Sequence, residues 1–188
     1  MKNIAIFASG SGTNAENIIK HFKTSKKAKI DLVLSNRKDA FVLERAKRLG
    51  IKTFVFNKND FYNTDIVVNK LIDNDIDFIV LAGFLWLVPE KLINKYEGKI
   101  INIHPALLPK YGGKGMYGER VHKAVVENHE SESGITIHYV NNMYDSGDII
   151  FQTKCAVKPD DTPEMVASKV HALEYKYFPK VIEELVSK

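Results

Sequence analysis

Short runs of apolar residues alternate with helical patterns along the first hundred residues, and this alternation constrains the fold more than any other feature of the sequence. Unbroken apolar strands joined by helices are typical of a parallel sheet with both faces covered. We therefore predict an α/β fold with a mostly parallel, Rossmann-like twisted sheet and helices on both faces. The predicted strands are 3–8, 30–34, 53–56, 78–81 and 99–103; the predicted helices follow residue 14, span 40–49 and 60–72, and start near Pro89.

The pattern changes after Gly134, where apolar residues alternate with others in the manner of a strand. A further strand is predicted over 149–157, and the two would pair across the turn at 141–147 as a C-terminal antiparallel element. A last helix is predicted from about Pro163, because apolar residues recur there at helical spacing. A length of 188 residues fits one domain, which we place at 1–188.

Composition argues against several classes of function. The net charge of +4 comes from scattered lysines without a basic, aromatic-rich stripe, so no nucleic-acid partner is expected. The apolar run after Met1 is too short for a membrane helix and lacks a signal-peptide cleavage region, which predicts a cytoplasmic protein with no membrane partner. The single cysteine, Cys155, is interpreted as a buried thiol and not as a nucleophile. His104, His122 and His138 lack metal-ligand spacing, so no metal is expected.

A glycine-rich loop at 9–14 joins the first strand to the first helix. Backbone amides at such a helix start can bind an anion, and Thr13 and Asn14 add side-chain donors. The spacing Gly-x-Gly-x-x-Ala from Gly10 also fits a dinucleotide loop, but the second strand ends at 35–37 without the acid that would hold a ribose. A phosphate site is therefore favoured over a dinucleotide site or a purely structural turn.

Two polar residues, Asn102 and His104, end a buried strand that is followed by Pro105. Alternation places both side chains on one face, about 7 Å apart along the strand. An asparagine amide can donate to a developing oxyanion, and a histidine can act as acid or base near neutral pH. A structural pair at a strand edge explains the pattern almost equally well.

Downstream acidic residues are further candidates. Asp145 and Asp148 lie in one turn-rich loop, and spacing does not decide which of them reaches His104. An aspartate beside His104 would favour the imidazolium and raise its pKa. Glu174 lies within the apolar stripe of the last helix, where a carboxylate either binds a polar group or extends to solvent.

Four segments together resemble the phosphoribosylglycinamide formyltransferases, and the resemblance extends from Ile4 to about Ile182. It implies the formyltransferase fold and the transfer of a formyl group from 10-formyltetrahydrofolate to the amine of glycinamide ribonucleotide. The products are formylglycinamide ribonucleotide and tetrahydrofolate, in de novo purine biosynthesis. The segments are Ser9-Gly10-Ser11-Gly12-Thr13-Asn14, Leu81-Ala82-Gly83-Phe84, residues 101–109 around Asn102-Ile103-His104-Pro105, and Asp145-Ser146-Gly147-Asp148-Ile149.

The resemblance assigns catalytic roles. Asn102 and His104 match the family's catalytic pair, and Asp145, rather than Asp148, matches its acid. The substrate amine would attack the formyl carbon of the folate, with Asn102 and protonated His104 stabilising the negative oxygen that forms. His104 would then give a proton to the departing folate nitrogen, while Asp145 keeps His104 charged and orders a water that carries protons from the amine.

The other matched residues divide between the two substrates. The N-terminal part is expected to bind the ribonucleotide phosphate at Gly12, Thr13 and Asn14, with Glu174 holding the ribose hydroxyls. The C-terminal part is expected to bind folate, through a backbone clamp on the pterin ring and a loop that closes over it. The folate residues are Leu85, Trp86, Leu87, Val88, Asn102, Asn141, Asn142, Met143, Tyr144 and Asp145.

The chain departs from the family pattern at three places. Residues 85–88 read Leu-Trp-Leu-Val where the family often has Met-Arg-Ile-Leu, although this contact is expected to run largely through the backbone. Thr64 aligns with an arginine that contacts folate in some members, and a threonine there lacks the guanidinium group of that arginine. The segment 111–120 is several residues longer than in common members, and its role is open.

Three other functions fit parts of the sequence. A formyltetrahydrofolate hydrolase has a similar core and similar catalytic residues, although it normally carries a regulatory domain before that core. Methionyl-tRNA formyltransferase normally carries a further domain after it. A non-catalytic nucleotide-binding module is the alternative from a different class. The expected partners are the two small-molecule substrates, and the expected assembly is a monomer or a homodimer.

Overall fold

Seven strands and seven helices make up the protein, whose computed structural model describes residues 1–188. The strands are β1 (Lys2–Phe7), β2 (Ala28–Ser35), β3 (Lys52–Val55), β4 (Phe78–Leu81), β5 (Ile100–His104), β6 (Glu132–Tyr139) and β7 (Ile149–Ala156). The helices are α1 (Thr13–Phe22), α2 (Phe41–Arg48), α3 (Lys58–Tyr62), α4 (Ile66–Ile72), α5 (Glu90–Lys95), α6 (Glu119–Glu127) and α7 (Pro163–Val186).

All seven strands belong to one sheet, in the order β3-β2-β1-β4-β5-β6-β7. Pairing is parallel from β3 through to β5, whereas β6 pairs antiparallel with both β5 and β7. The predicted α/β architecture is therefore confirmed, including the antiparallel element at its C-terminal end.

Alternation along β1 builds two apolar cores, one on each face of the sheet. Ile4 and Ile6 belong to the larger core, which contains residues of α1, α2 and α7. Ala5 and Phe7 belong to the smaller core, which contains residues of α3, α4 and α5. All four side chains are fully buried, which explains why the strand is apolar throughout.

Strand β1 lies between β2 and β4, so the order of the strands reverses at this point of the sheet. Ligands of open α/β sheets bind at such a point, beyond the carboxyl ends of the strands. Ser9 ties two of the loops there together. Its amide donates to the Gly83 carbonyl over 3.0 Å, and its hydroxyl accepts from the Leu85 amide over 3.1 Å.

The single helix predicted over 60–72 is wrong, because the chain forms two helices, α3 and α4, in this region. A capping box between Asn57 and Asp60 starts α3 before the predicted position. The break follows Tyr62, and the Thr64 hydroxyl donates to the Asp60 carbonyl over 3.1 Å. A threonine hydroxyl that binds a helical carbonyl competes with the helix hydrogen bonds, which gives a local cause for the break.

Helix α6 is absent from the sequence prediction. Its nine residues are few for a helical period to be read, and the segment before it is rich in glycine. Helix α7, by contrast, begins where predicted, with Pro163 in its first turn and the Thr162 hydroxyl accepting from the Met165 amide over 3.3 Å. No helix in the structure combines the length and the apolar character that a membrane span requires.

Candidate active site

A cavity of about 580 Å³ opens at the carboxyl edge of the sheet. The loops after β1, β4 and β5 form much of its wall, and α6, α7 and the β6–β7 turn contribute further side chains. The residues predicted for catalysis and for ribonucleotide binding all line it. They are Gly12, Thr13, Asn14, Asn102, His104, Asp145 and Glu174.

Three of these residues form a polar cluster at the end of β5. The Asp145 carboxylate lies 3.5 Å from Nδ1 of His104 and accepts from Nδ2 of Asn102 over 3.4 Å. The Gly113 amide donates to the same carboxylate over 3.0 Å. Asp145 has a left-handed backbone (φ 52°), which turns its side chain toward β5. Asp148 makes its contact through the backbone, where its carbonyl accepts from the Tyr139 amide.

His104 is 3% exposed and has an acceptor on each side of its ring. Its Nε2 donates to the Tyr111 carbonyl over 2.7 Å, and its Nδ1 faces Asp145. Burial nevertheless lowers the pKa of His104, and it outweighs the upward effects of the Asp145 charge and the Tyr111 carbonyl. Asp145 therefore acts on the His104 pKa in the expected direction, but burial sets the net shift, which is downward.

The carboxylate of Asp145 is the charged member of the cluster. Burial by itself would raise its pKa, but the neighbouring His138 and His104 rings and the Gly113 amide together lower it. An ionised aspartate between the two imidazoles is therefore the stable form near neutral pH.

His138 is a member of this cluster that the sequence analysis considered only as a metal ligand. Its Nδ1 donates to the Tyr139 carbonyl over 2.8 Å, which leaves Nε2 to accept from the Asn102 amide over 3.1 Å. The antiparallel register of β5 and β6 places His138 directly opposite Asn102. That register is the signal that would have identified it, since alternation alone cannot show which strands are neighbours.

The glycine loop begins α1 at one end of the cavity. Gly12 is the N-cap of α1, and no side chain caps the helix. It has a left-handed backbone (φ 75°), and a Cβ at this position would lie 2.4 Å from the Val42 side chain. Glycine is therefore required here for packing as well as for access of a ligand to the backbone.

Glu174 lies across the cavity from this loop and is only 4% exposed. Its Oε2 accepts from Nδ2 of Asn14 and from Nδ1 of His171, each over 2.8 Å. Of the two readings of Glu174, binding to polar groups is therefore right, and extension to solvent is wrong. The bond to Glu174 also raises the pKa of His171.

His122 is a second cavity residue that the sequence analysis did not assign to the site. It is 2% exposed, and its ring centre lies 6.1 Å from that of His171. Burial first, and then the neighbouring His171, lower its pKa. Its Nδ1 has no hydrogen-bond partner. Helix α6, which was not predicted, carries this residue into the cavity.

The residues predicted for folate lie mostly around a narrow slot beside the cavity. Phe84, Asn102, Tyr144 and Asp145 line both spaces, so the slot and the cavity are adjacent. Leu85 lines the cavity alone, and Asn142 and Thr64 line neither space. The other predicted residues along the slot are Trp86, Leu87, Val88, Asn141 and Met143.

A cysteine nucleophile and a metal site are the two other kinds of chemistry to consider, and the structure favours neither. Cys155 on β7 is partly buried, and burial raises the pKa of its thiol, which keeps it in the unreactive protonated form. No group of three or more His, Cys, Asp or Glu side chains has the arrangement of a metal site.

Comparison with known proteins identifies the family. A sequence model described as formyl transferase matches residues 2–182 of the chain. The chain belongs to the formyl transferase family. Among curated formyl transferases, a chloroplastic phosphoribosylglycinamide formyltransferase of Arabidopsis thaliana is 40% identical over 96% of this chain, which spans 64% of that protein's length. The phosphoribosylglycinamide formyltransferase of Haemophilus influenzae is 38% identical over 97% of this chain and 86% of its own.

Solved formyl transferase structures share the fold. The phosphoribosylglycinamide formyltransferase of Anaplasma phagocytophilum superposes with a TM-score of 0.91 at 33% identity, covering 100% of this chain and 87% of its own. Glycinamide ribonucleotide transformylase 1 of Geobacillus kaustophilus superposes with a TM-score of 0.90 at 35% identity, covering 99% of both chains. The predicted formyltransferase fold is confirmed by these matches.

Proposed function

We propose that this chain transfers the formyl group of 10-formyltetrahydrofolate to the amine of glycinamide ribonucleotide, a step of de novo purine biosynthesis. One observation carries the proposal: Asn102, His104 and Asp145 lie in the same cavity as an uncapped glycine loop. This arrangement would bring a one-carbon donor and a phosphorylated acceptor together at the cluster of Asn102, His104 and Asp145. Residues 1–188 act as one domain, with the ribonucleotide at the glycine loop and the folate at the slot.

The slot suits a flat ring with a polar edge. Trp86 and Val88 give it apolar walls, and Asn102 and Asp145 lie where it joins the cavity. Two backbone groups beside it already have partners, since the Leu85 amide donates to Ser9 and the Leu87 carbonyl accepts from Tyr62. The remaining backbone groups of 85–88 are left to pair with the ring. When bound, the folate supplies the formyl carbon and the leaving nitrogen.

Asn102 acts as the donor to the oxygen that becomes negative during attack. Its amide is oriented by a firm bond to His138 at 3.1 Å, whereas its bond to Asp145 is long, at 3.4 Å. The long bond is the one that the amide exchanges for the developing oxyanion. A buried donor held in this way stabilises the transition state without reorganising at the moment of reaction.

His104 acts as the proton carrier. Because burial holds its pKa low, the imidazole is neutral before reaction and takes up the proton that the attacking amine loses. Asp145 stabilises the imidazolium formed in this way, directly and through an ordered water. His104 then releases the proton to the departing nitrogen, so the ring ends the cycle neutral.

The acceptor side favours a ribonucleotide over water. Thr13 and the first amides of α1 bind the phosphate, and Glu174 holds the ribose hydroxyls with the oxygen that Asn14 and His171 leave free. A formyltetrahydrofolate hydrolase needs only the catalytic cluster and has no use for this end of the cavity. The hydrolase reading is therefore the weaker one.

The decisive experiment supplies 10-formyltetrahydrofolate to the purified protein with and without glycinamide ribonucleotide. We expect formylated ribonucleotide and tetrahydrofolate in equal amounts when both substrates are present, and negligible formate when the ribonucleotide is left out. Formate release that is independent of the ribonucleotide supports the hydrolase. Binding of ribonucleotide without any turnover supports a non-catalytic module.

A further inference from the structure

The long segment before α6, whose role the sequence left open, forms one wall of the cavity. Gly113, Gly115 and Gly118 have left-handed backbones, with φ of 94°, 89° and 53°. Most residues with a side chain would be strained in these backbone conformations, so the three glycines within six positions allow the chain to follow this path. This path brings the first turn of α6 to the same cavity as the glycine loop at 9–14.

Arg120 is the arginine of this wall, and it contacts no carboxylate. Its guanidinium lies over the Tyr117 ring, 5.0 Å from the ring centre, and Nη1 donates to the Gly115 carbonyl over 3.4 Å. Arg37, the other arginine that lines the cavity, makes two hydrogen bonds to Asp39. Arg120 is thus held in place by its own segment while most of its donors stay available.

The surroundings of Arg120 favour an anion. Helix α6 begins at Gly118, which has no side chain to cap it, and α1 begins in the same way at Gly12. Two uncapped helix starts at one cavity both present backbone amides. His122, in the same first turn of α6, is buried and has an unpartnered Nδ1 on a ring that lines the cavity. An anion at this wall would accept from the backbone amides of that turn.

We propose that Arg120 is a second phosphate-binding residue, which pairs with the phosphate of the ribonucleotide from the side opposite the glycine loop. This rests on the proposed function, and it names a residue that sets specificity for a phosphorylated acceptor. A folate carboxylate is the competing anion. The folate slot shares residues with the cavity only at Phe84, Asn102, Tyr144 and Asp145, and none from 113–120 lines it. The phosphate is therefore the assigned partner.

The test compares two acceptors, glycinamide ribonucleotide and its dephosphorylated ribonucleoside, in the wild type and in Arg120→Gln. We expect the KM for the ribonucleotide to rise about 10-fold or more, as for loss of a charge-assisted hydrogen bond. The kcat, the KM for formyl-folate and the kcat/KM for the ribonucleoside should stay within about twofold. Arg120→Lys should recover part of the loss, since it keeps the charge without the paired donors.

Lys123→Gln is the matched control, because it removes one positive charge from the same helix at an exposed position beside Glu127. We expect it to leave all four constants unchanged. Equal losses for ribonucleotide and ribonucleoside in Arg120→Gln would overturn the proposal in favour of a structural role. A raised KM for formyl-folate would overturn it in favour of a folate carboxylate.

Binding of ribose 5-phosphate, measured by calorimetry, separates this proposal from the proposed function. If the wild type makes no formylated product, the proposed function fails, yet Arg120→Gln should still weaken the binding of ribose 5-phosphate. If wild type and Arg120→Gln bind it equally well, the assignment of Arg120 is wrong whatever the enzyme catalyses.

Discussion

His104 shows how the surroundings of a single residue can reverse an expectation drawn from its neighbours. An aspartate at 3.5 Å and a carbonyl at 2.7 Å both favour the imidazolium, yet a ring that is 3% exposed loses more from desolvation than it gains from them. A neutral histidine beside an ionised aspartate is suited to receive a proton and to release it again. The role we propose for it is therefore that of a proton carrier and not of a permanent cation.

Removing the imidazole should abolish most of the turnover and leave binding intact. In His104→Ala we expect kcat to fall by on the order of 10²–10³, the usual cost of losing a group that acts on the transition state. Binding of both substrates, measured by calorimetry, should stay within a few-fold of the wild type. Wild-type turnover in this variant would refute the assignment of His104.

The pH dependence of activity should follow the lowered pKa of His104. A neutral proton acceptor is lost as pH falls through its pKa, so the acid limb of the kcat/KM profile, which reports the free enzyme, should lie below the ordinary histidine value of 6.5. Asp145→Asn removes the negative charge that partly offsets the effect of burial on the His104 pKa. That pKa should therefore drop further, and the acid limb should move to lower pH. The value of kcat should fall as well.

Asp148→Asn is the matched control for this shift, since Asp148 lies in the same turn without reaching His104. It should leave the acid limb where it is. Titration of the imidazole signals by NMR gives the pKa of His104 directly. A value above 6.5 in the free wild-type protein would contradict both the burial argument and the proton-carrier role.

At the scale of elements, the turn between β6 and β7 decides where Asp145 lies. Asp145 adopts a left-handed backbone, and two residues later Gly147 packs against β6 so closely that a Cβ would lie 1.8 Å from the Tyr139 carbonyl oxygen. The turn also carries Asn141, whose side chain accepts from the Met143 amide and the Ser146 hydroxyl. Asp145 is thus positioned by backbone packing as much as by its own hydrogen bonds.

Gly147→Ala should therefore damage stability and activity together. The added methyl group must displace backbone, for which we expect a loss of about 1–3 kcal/mol in the free energy of unfolding by urea. A fall in kcat should accompany it, because Asp145 moves with the turn. Gly98→Ala is the control: its φ is 67° but its Cβ meets open space, so it should cost about 1 kcal/mol and spare kcat.

At the scale of the whole molecule, the cavity exists because distant parts of the chain meet at one edge of the sheet. Asn14 donates to Glu174 across 160 residues of sequence, and Asn102 donates to Asp145 across 43. The strand order places the loops after β1, β4 and β5 side by side, and α7 then returns to line the cavity opposite the glycine loop. A ligand that binds in this cavity contacts several of these distant segments at once, so its binding should stabilise the whole native state.

Ligand binding should accordingly raise the unfolding temperature. At a ribonucleotide concentration of 100 times its Kd, the native state should gain about 2.7 kcal/mol, provided that the unfolded chain does not bind. The gain should be seen by calorimetry as a rise in Tm that grows with ligand concentration. A Tm that is independent of glycinamide ribonucleotide would contradict its binding in the cavity.

The sequence by itself determined the sheet, most of the helices and the family, because these depend on local pattern. The buried strand β4 is apolar at every position, and the helix start at 162–163 carries its own cap and proline. Helix α6 escaped prediction because its nine residues are fewer than the window over which a helical period is read. The break between α3 and α4 escaped prediction because Thr64 interrupts a pattern that otherwise looks continuous. The residues matched to the catalytic cluster could likewise be named from their motifs.

Only the tertiary structure decided which side chains meet and in what charge state. The choice of Asp145 over Asp148 came from resemblance at the sequence level, and its contact with His104 depends on a turn that folds back against β5. His122, His138 and Arg120 entered the site through strand register and loop path, which no local pattern encodes. The pKa of His104 depends on how completely its surroundings exclude water, and desolvation is a property of the packed whole rather than of any segment.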